Sequence, residues 1–563
     1  MPYRAPVKDI RFLFDHVVGL PALLALRGKG EDDVIPAVLT EAGRLCDQVL
    51  APLNRAGDLT PARLVDGAVR ATPGFAAAYA RIAEGGWVGI AARPDHGGMG
   101  LPMVVASAVN DMMAGACMAL GLNPLLTQGQ IEALEHHADA DMQALYLPKL
   151  ISGEWSGTMN LTEPEAGSDV GALRTRAVPN GDGSYAITGQ KIFISWGDAD
   201  FLPNVCHLVL ARLPDAAPGT RGISLFMVPR NIPDENGNPG AANSLRVVSL
   251  EHKTGLHGSP TAVMEFAGAT GWMVGAPHTG MKAMFTMMNN ARLNVGMQGV
   301  GVAEAASQQA AAFAQDRVQG KTPLGAGPIA DHADVRRMLA AMRADTFAAR
   351  AIALACGVAI DMGRETGAPE WQARAALLTP IAKAFGTDIG HEVAQMGVQV
   401  HGGMGYIEET GASQFARDVR VTAIYEGTNG IQAMDLVGRK LADGGAAALA
   451  LIDEVIAGAA ARDPLPALAD AVTDAARGLR DTTLWMATAG PDDRNAGAAA
   501  YLRAFARVLG GHFHLVAARA DAARAPLATI YITRLLPEYA GLLAQARAGA
   551  GALYDLGMAE LAS

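Results

Sequence analysis

The stretch AIYEGTNGIQ, residues 423–432, places a single carboxylate, Glu426, between Tyr425 and Gly427. A group so flanked is either a titratable side chain held for proton chemistry or a solvated charge at a turn. A second stretch, MNLTEPEAGSD at 159–169, gathers Thr162, Gly167, Ser168 and a run of backbone amides. Hydroxyls and amides at the junction of a helical and a β segment suit a cofactor cleft, whereas a capped turn would leave Glu163, Glu165 and Asp169 as solvated charges. Other matches fail on context. GAGPIA at 325–330 fits a dinucleotide pattern but follows a polar loop with Pro323 and contains Pro328. GKT at 320–322 has Gln315 where a phosphate loop needs glycine, and His391-Glu392 is followed by Gln395 where a zinc protease needs histidine. His512 and His514 read as ordinary helix residues. Cys46, Cys117, Cys206 and Cys356 are far apart, so neither a metal site nor a disulfide framework is expected and a reducing cytoplasm fits.

The elements that must carry these residues follow from periodicity. Residues 31–155 form an N-terminal helical domain, preceded by an extension at 1–30 and interrupted by a glycine-, proline- and charge-rich loop at 54–74. Over 156–275 the period shortens. YAITGQKIFIS, VCHLVLARL, GISLFMVP and SLRVVSLEH read as strands separated by turns such as Asn180-Gly181-Asp182-Gly183, giving a β domain. Long helical patterns return over 276–440 as a bundle and continue through 441–563, where Tyr501, Leu502, Phe505, Val508 and Leu509 make one apolar stripe beside Arg503 and Arg507. The expected fold is mainly α with a central β domain and an added C-terminal helical domain.

Composition agrees. Half of the 563 residues are hydrophobic and only 5% are aromatic, which suits closely packed helices. The net charge of −11 argues against a nucleic-acid partner. The opening segment lacks the uninterrupted apolar core of a signal peptide, and the apolar run at 351–360 is too short to span a bilayer, so no transmembrane helix is expected.

Four ordered motifs, LTEPEAGSD, ITGQKIFISWG, QVHGGMGYIEE and RDVRVTAIYEGTNGIQ, make the chain resemble the acyl-CoA dehydrogenase family over about residues 31–440. Its N-terminal addition and helical tail are similar to those of the extended branch that includes 3-methylmercaptopropionyl-CoA dehydrogenases. The resemblance implies an FAD enzyme that forms a 2,3-enoyl-CoA from a fatty acyl-CoA or 3-methylmercaptopropionyl-CoA. Electron-transfer flavoprotein would be the acceptor and the assembly a homodimer. It assigns Met159, Leu161, Thr162, Ser168, Phe193, Ile194, Ser195 and Thr428 to the flavin, with Phe193 and Ser195 replacing the usual tryptophan and threonine. Arg317 would contact FAD phosphates, and Gln399, Gly402 and Gly403 would reach the flavin of a neighbouring subunit. RVQGK lacks the usual phenylalanine-glycine after that arginine, and Ala333 replaces a common glutamine. Ser168, Arg292, Tyr425 and Gly427 would meet substrate.

In that family the glutamate of YEGT removes the α-proton of the thioester, and an apolar pocket makes such a carboxylate more basic because its charge loses water. Some members place the base just before the arginine matching Arg292, but Ala291 occupies that position here and cannot abstract a proton. Two rivals share the resemblance. An acyl-CoA oxidase would pass electrons to oxygen. A DNA-repair-associated homologue would need a basic surface that the acidic balance opposes.

Overall fold

The computed structural model describes residues 3–28 and 30–563. The chain divides into two compact units. One contains residues up to Gly43, Met103–Gly115 and Arg292–Ser563; the other contains Arg44–Pro102 and Ala116–Ala291.

The smaller unit is built on the expected β segment. Strands Thr261–Val274, Tyr185–Ser195, Arg176–Pro179, Asn204–Arg212 and Ile223–Pro229 are hydrogen-bonded in that order, and Ile223–Pro229 pairs back onto Thr261–Val274, closing the sheet on itself. Leu245–Leu250 and Trp155–Asn160 extend it at either side. Asn204–Arg212 reads as an almost continuous apolar run because it is buried on both faces, whereas Thr261–Val274 alternates buried and half-buried residues. Ile187, Val209, Phe226, Val228, Met264 and Phe266 fill the interior. The predicted turn is present, with Gly181 and Gly183 both at positive φ and Asn180 N donating to Ser184 O at 3.0 Å. The segment expected to be a loop at 54–74 is instead ordered as the end of helix Ala51–Leu59 and the hairpin Arg63–Val65/Ala68–Arg70. Burial explains it: Asp58 pairs with Arg55 at 2.7 Å and His257 at 2.9 Å, and Gly57 packs so closely that an added Cβ would lie 3.1 Å from Phe75.

The larger unit is helical. Ala333–Thr366 ends at Gly367, whose φ of +66° supplies the left-handed cap, and Pro369 opens the antiparallel helix Pro369–His401. Against the latter lies the part of Gly280–Asp316 that follows Arg292, and glycines make the crossing possible. A Cβ at Gly299 would stand 2.1 Å from Gly386 O, and one at Gly296 2.6 Å from Ala382 O. Gly299→Ala is therefore expected to cost about 1–3 kcal/mol through overpacking, read as a lowered urea midpoint.

A buried ionic cluster ties the N-terminal helix Val7–His16 to the bundle. Arg350 bonds Asp111 at 2.6 Å and Glu304 at 2.9 Å, and Arg343 joins Glu304 at 3.1 Å and also pairs with Asp9. Arg524, from the C-terminal region, completes it on Asp9 at 2.9 Å. The apolar stripe of Tyr501, Leu502, Phe505, Val508 and Leu509 is buried as its pattern implies. Arg503 reaches Glu392 and Glu538, while Arg507 pairs with Asp345 and with Glu538 at 2.6 Å. Met103–His137 and Ala333–Thr366 are long and apolar enough to cross a membrane, but their most apolar windows are 100% and 89% buried within the protein.

Candidate active site

In the larger unit, Glu426 follows a short helical turn at Arg420–Ala423 and precedes the helix Asn429–Asp435, which Thr428 caps by accepting from Ile431 N at 3.2 Å. The chain reverses here through two consecutive left-handed residues, Glu426 at φ +56° and Gly427 at φ +83°. Glycine adopts that conformation freely, but a residue with a side chain does so at a cost of about 1–2 kcal/mol. The turn must therefore be held from outside. Gln432 Nε2 donates to the carbonyls of Glu426 and Gly427, both at 3.2 Å, and Lys383 Nζ donates to Gly427 O at 2.9 Å.

The Glu426 carboxylate is enclosed. Its residue is half-buried, yet Oε2 is shut off from solvent and has no hydrogen-bond partner. Burial pushes its pKa up to about 7, against the pull of the Arg292 and Lys383 charges. Both cations come from the glycine-lined helix crossing. Arg292 is buried, lies 4.0 Å from Asp435 and is lowered in pKa by burial, with Asp435 and Glu426 opposing. Lys383 is fully buried and is lowered to about 8 by burial, with Glu426 and Asp388 opposing. Tyr425 is raised by burial and donates through its hydroxyl to Gln298. Among the described residues no acceptor pairs with the Glu426 backbone N–H. An enclosed carboxylate poised near neutrality beside an unused amide donor can take a proton from carbon and support an oxygen that gains charge.

Lys383, Gln432 and Asn429 went unnoticed in the sequence. Asn429 joins Lys383 through Oδ1 at 2.9 Å and donates to Asp388 at 2.7 Å. The available signal was a lone lysine in the apolar, small-residue helical run TPIAKAFGTD.

The smaller unit brings together two segments distant in sequence. Ile192 N donates to Thr162 O at 3.0 Å and Thr158 Oγ1 donates to Ser195 O at 2.7 Å, laying the chain after strand Trp155–Asn160 beside the end of Tyr185–Ser195. Met159, Leu161, Thr162 and Ser195 are half-buried there, Ile194 is buried and Ser168 is exposed. Phe193 is 59% exposed although its backbone is left-handed at φ +60°. A strained backbone presenting a bare aromatic ring fits the flat face of an aromatic cofactor such as FAD. Glu163 is not a solvated charge. Lys191, fully buried, donates to Glu163 at 2.8 Å and to Leu161 O at 3.1 Å, and Glu163 also accepts from Arg174 N at 2.6 Å and Thr175 N at 3.0 Å. Burial pushes Glu163 up, but Lys191 and these donors hold it below the usual carboxylate range. Glu165 stays exposed, paired with Arg174.

The remaining candidates, Arg317, Gln399, Gly402 and Gly403, lie exposed on the larger unit. Phe313 stacks on His401 with ring centres 4.5 Å apart, and Gln309 donates to Thr410 O at 2.8 Å, so the segments bearing them are tied together. Leu324 and Tyr406, 76% and 86% exposed, give this surface an apolar character. Among the described residues no group of His, Cys, Asp and Glu could hold a metal.

Family models describing the N-terminal, middle and C-terminal domains of acyl-CoA dehydrogenase match residues 44–154, 158–269 and 278–441, and one described as acetyl-CoA dehydrogenase C-terminal like matches 448–557. The chain is 47% identical over 515 residues to the 3-methylmercaptopropionyl-CoA dehydrogenase of Ruegeria pomeroyi, covering 88% of this chain and 87% of that protein. Its fold resembles that of Caenorhabditis elegans ACDH-11, solved in complex with C11-CoA, with a TM-score of 0.81 at 21% identity over 94% of this chain and 91% of that one. The Bacillus anthracis acyl-CoA dehydrogenase complexed with FAD gives 0.76 at 19% identity, over 92% and 89%. With these matches the chain belongs to the acyl-CoA dehydrogenase family, as an FAD-dependent oxidoreductase that forms enoyl-CoA and carries an additional C-terminal helical domain.

Proposed function

We propose that Glu426 is the base that removes the α-proton of an acyl-CoA thioester, and that 3-methylmercaptopropionyl-CoA or a related fatty acyl-CoA is the substrate. The observation that carries this reading is the enclosed carboxylate on its left-handed turn, whose Oε2 has no protein partner. When bound, FAD supplies the acceptor for the β-hydride. Phe193, Ile194 and Ser195, with Met159, Leu161, Thr162 and Ser168, would hold it. Glu426 takes the α-proton on its carboxylate, and its free backbone N–H donates to the thioester oxygen as charge develops there. Gly427, without a side chain, lets the substrate approach, and Tyr425 and Arg292 bound the carboxylate.

The identity of 47% to the Ruegeria pomeroyi enzyme supports that choice of substrate. Electron-transfer flavoprotein as acceptor and a homodimer sharing the surface of Arg317, Gln399, Gly402 and Gly403 belong to the same reading, and the exposed Leu324 and Tyr406 there support an interface. The four buried thiols fit a cytoplasmic setting.

A pH series of kcat/KM with 3-methylmercaptopropionyl-CoA and straight-chain thioesters, using an artificial electron acceptor, tests the reading. Because the base must be ionised, activity should rise with pH through a midpoint near about 7. Turnover of none of these thioesters, or a rate flat across that range, would count against it. Rapid reoxidation of the reduced enzyme by air would replace electron-transfer flavoprotein with oxygen.

A further inference from the structure

Lys383 is a fully buried cation without a direct ion pair among the described residues; its two hydrogen bonds go to neutral oxygens, Gly427 O and Asn429 Oδ1, each at 2.9 Å. A lysine held this way retains a charge that nothing adjacent neutralises, which is costly unless a carboxylate stands near. Glu426 has the complementary defect, since its Oε2 is buried with no partner. Lys383 reaches the carbonyl of Gly427, the residue that follows Glu426.

Other charged groups surround the turn, and Arg292 also lowers the basicity of the Glu426 carboxylate. Arg292, from the helix Gly280–Asp316, faces Asp435, and Asp435 also binds Arg439 from the helical segment after it. Asp388, one residue beyond the turn of helix that carries Lys383, accepts from Asn429, and Tyr425 is bonded to Gln298.

We propose that Lys383 is a positioning residue for Glu426, fixing the left-handed turn through the Gly427 carbonyl and standing, together with Arg292, as a cation that keeps the enclosed carboxylate ionised. This deepens the assignment of Glu426 as base and rests on it. Burial alone would raise the basicity of Glu426 until it held its proton at neutral pH and could accept none. A fixed cation beside the turn offsets part of that rise and leaves a carboxylate both basic and empty. The hydrogen bond and the charge are separable contributions: the first sets where the carboxylate points, the second sets whether it is ionised.

The test is an infrared titration of the FAD-loaded protein, in which the difference between parent and Glu426→Gln isolates the Glu426 carboxyl band. It reads the protonation state directly, without turnover. Lys383→Met and Lys383→Gln should move the Glu426 midpoint upward by about one unit or more, and Lys383→Arg should leave it near the parent value. In steady state, kcat at neutral pH should fall in the Met and Gln variants and recover as pH rises, with KM little changed. Lys383→Gln keeps a hydrogen-bond donor, so it serves where Lys383→Met does not retain flavin. An unmoved midpoint in the Met or Gln variant overturns the proposal while leaving the base assignment intact. The base assignment itself falls if Glu426→Gln turns over normally, whatever the Lys383 variants do.

Discussion

Glu426→Gln is expected to retain FAD and to lose substrate-driven bleaching of the flavin by a factor of at least about a hundred to ten thousand, the usual contribution of a general base. The amide matches the carboxylate in size and leaves the left-handed turn, which is held through backbone carbonyls by Gln432 and Lys383, without a missing bond. What it removes is the acceptor for the α-proton. Hydride departure from the β-carbon depends on that proton leaving, so the loss should appear in the reductive step and not in flavin content. Anaerobic mixing of the variant with acyl-CoA, followed by its visible absorbance, gives both quantities. Near-normal bleaching would mean that Glu426 is only the residue of a tight turn.

Arg350→Met should be the most destabilising single change in the larger unit, by about 3–5 kcal/mol, because it leaves Asp111 buried without its cation and takes from Glu304 one of its two arginines. Asp111 and Glu304 both lie on Arg350, at 2.6 Å and 2.9 Å, and burial already raises Asp111 above its ordinary pKa. A carboxylate whose folded pKa is raised binds its proton more tightly folded than unfolded. Stability is then lost as pH rises from the ordinary carboxylate value through the folded one. The variant's penalty should therefore shrink toward acid pH, and adding Asp111→Asn with Glu304→Gln should return much of the lost stability. Urea midpoints of the FAD-saturated proteins measure this, and a penalty below about 1 kcal/mol would show that Arg350 is not the keystone of the cluster.

Where pattern and burial coincide, the sequence was a sufficient guide. The continuous apolar strands Asn204–Arg212 and Ile223–Pro229 and the stripe from Tyr501 to Leu509 all stand where their pattern places them. Glu426 was legible through the motif RDVRVTAIYEGTNGIQ that carries the family resemblance, since the residues flanking it would by themselves fit an ordinary turn. Tertiary packing decided the rest. Residues 54–59 look like loop because of Asn54, Gly57 and Asp58, but Gly57 is small enough to pack on Phe75 and Asp58 pairs with Arg55 and lies 2.9 Å from His257, so the helix continues. Glu163 reads as one of several surface acids, and only the fold reveals that Lys191 reaches it from the neighbouring strand. Lys383 is invisible for the same reason. Periodicity shows which helix face is apolar, but not which charge that face will swallow where Gly296 and Gly299 let two helices nearly touch.

If Glu426 removes the α-proton of the thioester, that removal belongs to the reductive step. Single-turnover flavin bleaching by the wild-type protein, with acyl-CoA carrying deuterium at the α-carbon compared against the unlabelled thioester, tests it most directly. A primary isotope effect on bleaching is expected, with the rate rising with pH toward a plateau above about 7. Bleaching at the same rate with and without α-deuterium, at every pH and with chemistry established as rate-limiting by a β-deuterium effect, would contradict it.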